Sequence, residues 1–195
     1  MTSPWQLALG ERLEQLDPAL TAYFSTIPAG MEGRGTGTFD EVGTPRKWLW
    51  PVYAMLARAA MAFPVWERDV AFEIVNHPGD GAVRSTVTFA FRGGARVMRH
   101  EIRMTPRGLV DELGARRRFR AALQAEVVQG RLEVRSTGVR LRVGGAHVSV
   151  PFAPRIRLVE RRSGARQRVE FTMTAPLIGE IYRYAGSFDY RIEPA

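Results

Sequence analysis

Three titratable residues fall where an alternating strand would turn them toward an apolar face. His100 is in phase with Met98, Ile102 and Met104, whereas Arg99, Glu101 and Arg103 occupy the opposite phase. Glu160 is in phase with Ile156 and Leu158 and is flanked by Arg157, Arg161 and Arg162. Glu112 shares the phase of Val110 in a shorter run. A carboxyl on an apolar face keeps its proton to higher pH unless an arginine or a hydroxyl sits beside it, and Tyr182 and Tyr184 could supply such hydroxyls. The residues alone leave three uses open: a structural polar network, the anchoring of a ligand, or a catalytic acid–base pair. His77, His100 and His147 lie on different segments without metal-ligand spacing, and there is no cysteine and no Gly-x-Ser-x-Gly elbow. No cofactor and no metal are expected.

The elements that must position these groups are strands. In the last stretch Tyr182, Tyr184, Phe188, Tyr190 and Ile192 alternate with Arg183, Ala185, Ser187, Asp189 and Arg191, so one face is aromatic and the other wet. Gly186 interrupts the stripe, where a long strand would bend or bulge. From Glu67 onward the same period of two recurs in short runs separated by Gly- and Pro-containing turns such as His77–Gly81, Gly93-Gly94, Gln129-Gly130 and Gly144-Gly145. That pattern predicts about nine or ten antiparallel, meandering strands. Before it, Ser3-Pro4-Trp5-Gln6 reads as a capped helix start and Asp17-Pro18 as a second one. Gly33–Phe39 is glycine-rich but follows a helix and leads into a strand, the wrong context for a phosphate loop, so it reads as a strand of little bulk at a barrel rim. Trp48–Phe63 is apolar nearly all round and too short to span a bilayer, which needs about 20 residues. A helix packed on the sheet or plugging a barrel mouth is its expected role, with a membrane-surface or partner contact as the alternative.

The expected architecture is mainly β: an antiparallel calycin-like barrel or strongly curved sheet with two or three N-terminal helices on one end. It forms a single domain over residues 1–195, with a helical cap over about residues 4–63 and the sheet over about 67–193. The N-terminus has neither a basic start nor a long apolar run, so no signal peptide is expected and the location is read as cytoplasmic. The net charge of +8 would attract anionic partners, yet Lys47 is the only lysine and the arginines are scattered through the strands. Because no helix-turn-helix, zinc-finger or RNP-type motif accompanies the charge, specific nucleic-acid binding is not expected.

The run Leu109-Val-Asp-Glu-Leu-Gly114, then Val150-Pro151 with Glu160 beyond, then Pro176-Leu-Ile-Gly179 and Tyr184-Ala-Gly186, resembles a bacterial family of unknown function numbered 4166. Arg99, Glu112, Gly114, Glu160, Gly179, Tyr184 and Gly186 carry the resemblance, which extends from Leu9 to about Phe188, and Val97 departs from it where the family has tryptophan. It implies the extent of the domain and no activity. Fusion of similar chains behind a dehydrogenase-like module implies a small-molecule context. Arg99 and Glu160 both match family positions and are expected to form a buried ion pair, which requires Arg99 to turn inward at a bulge.

The expected function is non-catalytic binding of a hydrophobic or amphipathic small molecule, such as a lipid, in an aromatic-lined interior. Arg99, His100, Glu112, Glu160, Tyr182, Tyr184 and Phe188 are the candidate contacts. An enzyme acting on such a molecule through Glu160, Glu112 or His100 is the alternative, and a structural or partner-binding domain with a filled core is the third reading. A cavity below about 300 Å³ would favour the third.

Overall fold

The computed structural model describes residues 2–79 and 81–195. Eleven strands follow one another through the chain: β1 (Met31–Gly43), β2 (Trp66–Gly79), β3 (Ala82–Phe91), β4 (Gly94–Thr105), β5 (Gly108–Leu113), β6 (Phe119–Val128), β7 (Arg131–Val143), β8 (Ala146–Ser149), β9 (Arg155–Ser163), β10 (Arg166–Ala175) and β11 (Gly179–Pro194). Their order in the sheet is β6-β5-β4-β3-β2-β1-β11-β10-β9-β7, and β6 pairs with β7 to close a barrel of ten antiparallel strands. The short β8 lies outside the ring, extending β7 as a hairpin. Closure removes the unpaired edges that an open sheet of this width would expose.

Neighbours in sequence are neighbours in the sheet except where β9 returns to β7 and where β1 meets β11. That last pairing joins the two ends of the strand region from Met31 against Pro194 to Gly43 against Arg183. It also explains the glycines of β1. A Cβ at Gly33 would lie 1.6 Å from the Tyr190 hydroxyl, and one at Gly37 would lie 2.3 Å from the Ser187 carbonyl oxygen. The run therefore belongs to a wall strand whose bare inner face leaves room for the rings of Phe188 and Tyr190. Gly37→Ala is expected to lower stability by about 1–3 kcal/mol in chemical unfolding, because the clash is with backbone. Gly93→Ala, at a turn with open space around it, is the matched control and should be neutral.

Gly186 does not bulge. The irregularity lies in the partner strand, between Phe39 and Glu41, and Phe39 packs directly onto the bare Gly186, whose Cβ would stand 2.6 Å from the Phe39 Cα. The extra residue shifts the phase of β1, so that Phe39 and Val42 both point inward and are buried. A second bulge falls at Ser136–Gly138 within the continuous β7.

Helices close both mouths. The first, α1 (Pro4–Leu9), has the expected capping box: the Ser3 amide donates to Gln6 Oε1 at 3.0 Å and the Trp5 amide to Ser3 Oγ at 3.3 Å. Gly10, with φ of 55°, ends it, and a 3₁₀ turn over Gly10–Gln15 leads to α2 (Pro18–Phe24). Trp5, Leu9, Leu20 and Phe24 pack with Leu109, Leu132 and Val134 over one end. The third helix, α3 (Trp50–Arg58), follows a 3₁₀ turn at Lys47–Leu49 and sits at the opposite end, not beside the first two. Its chain then turns at Ala60 and drives Ala62 and Phe63 into the barrel, tied by Arg99 N–H to the Ala60 carbonyl and Ala115 N–H to the Ala59 carbonyl, both at 3.0 Å. Only one side of α3 plugs the mouth: Tyr53 is buried and donates to the Ile181 carbonyl at 2.9 Å, while Trp48, Val52 and Met55 face outward. Among the described residues no helix is long and apolar enough to cross a membrane.

Candidate functional site

The interior is aromatic. Phe39 stacks on Phe72 at 3.9 Å between centroids, Phe89 stacks on Phe91 at 5.4 Å, and Phe171 lies parallel to Tyr184 at 4.6 Å. The even positions of β11 point inward as the alternation requires, with Tyr182 and Phe188 in the core and Tyr184 and Tyr190 packed against it.

Ionisable side chains enter this apolar volume from two walls. On β4, His100 points inward with Met98 and Ile102, and its Nδ1 lies 3.0 Å from Asp111 Oδ1 on β5. Asp111 stands opposite Ile102 in the ladder, so the two groups meet diagonally on one face. Burial opposes the charged form of His100, but the charge and hydrogen bond of Asp111 outweigh it and raise the imidazole pKa. On β9, Glu160 is 4% exposed and accepts a hydrogen bond from the side-chain amide of Gln167 on β10. Burial pushes its carboxyl up to about 7, against the lowering effect of that bond.

Tyr184 lies between the walls. It lines the same cavity as Glu160 and Asp111, and burial raises its phenol strongly, with the charges of the two acids adding to the effect. Tyr23 reaches into the same region from α2, in edge contact with Phe188 at 5.7 Å and with Tyr190 at 4.8 Å. Burial and then the charge of Glu160 raise its phenol. Asn76 donates to the Tyr190 hydroxyl at 3.1 Å. Tyr182 belongs to the far end, beside Tyr53 at 5.1 Å between ring centroids.

Two of the sequence candidates lie elsewhere. Glu112 is buried but on the outer side of β5, where Arg120 lies over it as an ion pair. The inward phase of β5 is Leu109, Asp111 and Leu113, and the sequence reading took Glu112 because Val110 is also apolar. The signal for Asp111 was present in the two leucines that flank it at a spacing of two. Arg99 is exposed on the outside of β4, so the expected ion pair with Glu160 does not form. A bulge would have been needed to turn it inward, and β3 and β4 pair without one through this region.

Arg120 over Glu112 is typical of the outer wall. Glu133 is covered by Arg131 at 2.9 Å and by Arg135 and Arg157 at 3.3 Å, and Glu101 by Arg103 at 2.8 Å and Arg117 at 2.5 Å. These arginines serve as lids on buried outer carboxylates. Among the described residues, no arginine or lysine lines the inner cavity. The barrel is basic outside and acidic within.

That cavity measures about 160 Å³ and reaches from Glu160 and His100 to the plug residues Tyr53, Leu56 and Ala62. A larger concavity of about 580 Å³ lies on the outside, bounded by Arg107, Arg120, Arg140 and Arg155. It is a wet groove without acid–base groups, whereas the smaller cavity holds the buried titratable cluster and is the candidate site. Among the described residues, no group of three histidine or acidic side chains is arranged to hold a metal ion.

A closed antiparallel barrel, capped by helices at each mouth and lined by rings around a few buried ionisable groups, is the class of protein this chain represents. Over residues 16–188 it matches the family described as a domain of unknown function, DUF4166, and it belongs to that family. No curated protein matches it.

Proposed function

We propose that the barrel binds a small, largely apolar molecule with a hydrogen-bonding or cationic end. The observation that carries this reading is that Glu160, the His100–Asp111 pair and Tyr184 all line one apolar cavity. A few polar groups aimed into an otherwise apolar hollow are the usual make-up of a small-molecule site. A purely structural core would be more stable with apolar residues in their place. The charges set the polarity of the ligand. A buried carboxylate or phosphate would meet Asp111 and Glu160 without an arginine or lysine to pair with, whereas an amine or hydroxyl would find acceptors.

Volume sets its size. A cavity near 160 Å³ suits a molecule about as large as benzene or a little larger. Anything bigger requires Met61, Met98 and Met173, all in the lining, to change rotamer, which unbranched thioethers do easily. The same volume favours a second reading, since it falls below the 300 Å³ or so of a typical small-molecule site: an accessory domain whose interior is filled by its own side chains.

Native mass spectrometry of the purified protein should reveal a bound metabolite as an added mass. Titration with phenethylamine, butylbenzene and phenylpropionate, followed by NMR, is expected to shift resonances of the interior with the first two and not with the third. Equal binding of the carboxylate would sink the polarity argument. An interior unresponsive to all three, with no added mass, would establish the filled core instead.

A further inference from the structure

The outer side of α3 has an unusual composition for a surface. Trp48 is 63% exposed and Met55 61%, and Trp50 and Val52 are exposed beside them. Next to them stands the turn between β10 and β11, where Leu177 is fully exposed and held at φ of 65°. That backbone region favours glycine or asparagine, so an apolar side chain at such a tip has no folding rationale. Arg46 fixes the turn against the start of the α3 segment, its guanidinium donating to the carbonyls of Ile178 at 3.1 Å and Glu180 at 3.4 Å.

Charge accompanies the apolar residues. Between Thr44 and Val65 the only charged residues are Arg46, Lys47 and Arg58, all basic and all exposed. Of the acids at this end of the sheet, Glu41 and Glu180 are both paired with Arg183, at 2.8 and 3.4 Å, and Glu67 accepts from the Arg92 amide at 2.9 Å. We propose that this face docks the barrel on an anionic lipid bilayer, with Trp48, Trp50, Met55 and Leu177 entering the interface and Arg46, Lys47 and Arg58 meeting lipid phosphates.

The combination of exposed tryptophan, aliphatic and basic residues on one surface is the composition of interfacial segments. A second copy of the chain is the poorer occupant, because a self-complementary contact would bring Lys47 and Arg58 against their like-charged counterparts, whereas an anionic leaflet attracts them. The opposite side of the same helix, through Tyr53 and Leu56, lines the inner cavity. Docking would therefore set the plugged mouth against the bilayer. Exchange of a ligand with the membrane rests on the proposed function, but docking itself does not.

The test is co-sedimentation of the full chain with vesicles of phosphatidylcholine, with and without phosphatidylglycerol, read together with tryptophan emission. Binding is expected to be more than about tenfold tighter to the anionic vesicles, from three basic residues near the surface, and to shift emission to the blue. Trp48→Ser with Met55→Ser, Lys47→Glu with Arg58→Glu, and Leu177→Asn should each weaken it while leaving the melting temperature unchanged or higher. Absence of binding, or binding that ignores all three variants, would overturn the proposal. So would a dimer in solution that the Trp48→Ser/Met55→Ser pair dissolves while vesicles remain unbound. Native mass spectrometry of the interior ligand is independent of these outcomes, so failure of either idea leaves the other standing.

Discussion

Glu160→Gln is expected to make the protein more stable at pH 8 by about 3 kcal/mol while leaving it nearly unchanged at pH 4. The folded protein holds the Glu160 proton to about pH 7, whereas the unfolded chain releases it near 4.5. Between those values the folded state binds more protons, so wild-type stability falls as pH rises through the window and levels off above it. Glutamine is neutral throughout and can still accept from Gln167, so the variant lacks this component. His100 adds a fall of the same sign at higher pH, because its pKa is also raised in the folded state, and it adds it to both proteins. The difference between wild type and variant therefore isolates Glu160. Urea unfolding from pH 4 to pH 9 measures it, and parallel curves for the two proteins would show that the carboxyl is neither buried nor destabilising. A residue that costs stability in this way above its folded pKa has no rationale in folding alone.

The largest loss is expected at the centre of the aromatic stripe. Phe188 is 3% exposed, in edge contact with Tyr23 and Phe72 at 5.7 Å each, and lies over the bare faces of Gly35 and Gly37. Truncation to alanine should remove about 3–5 kcal/mol, toward the upper end, since β1 is held on both sides by paired strands and cannot collapse into the space. Ser187→Ala, on the outer phase of the same strand, should change stability by less than about 0.5 kcal/mol. A Phe188→Ala loss below 1 kcal/mol or so would mean that the interior is loosely packed and that the ring does not occupy the place described. The same variant enlarges the cavity, so it should also bind butylbenzene more tightly if the interior is accessible.

Much of this barrel follows from local pattern. Side chains in a strand alternate at a period of two whatever the strand's neighbours are, so Tyr182, Phe188, His100 and Glu160 could be assigned to the inside from their own segments. Turn chemistry did the same for hairpins such as Phe91-Arg92-Gly93-Gly94, and the Ser3–Gln6 cap for the first helix. The alternation failed where both phases are apolar: β5, at six residues, carries Val110 on one side and Leu109 and Leu113 on the other. Only the ladder with β4 decides that Asp111 goes in and Glu112 out.

Other features are properties of closure and have no local sign. That β1 meets β11, and that its glycines make room for Phe188 and Tyr190, depends on residues more than a hundred positions apart. The partner of Glu160 is Gln167 because β9 and β10 form a hairpin, and that short-range fact displaced the distant Arg99. The size of the cavity is what remains after rings from both the helices and the strands have packed, so no single segment could report it. The outer side of α3 is apolar in sequence for the same reason as its inner side. Only the barrel mouth, by covering Tyr53 and leaving Trp48 and Met55 bare, separates the packed side from the exposed one.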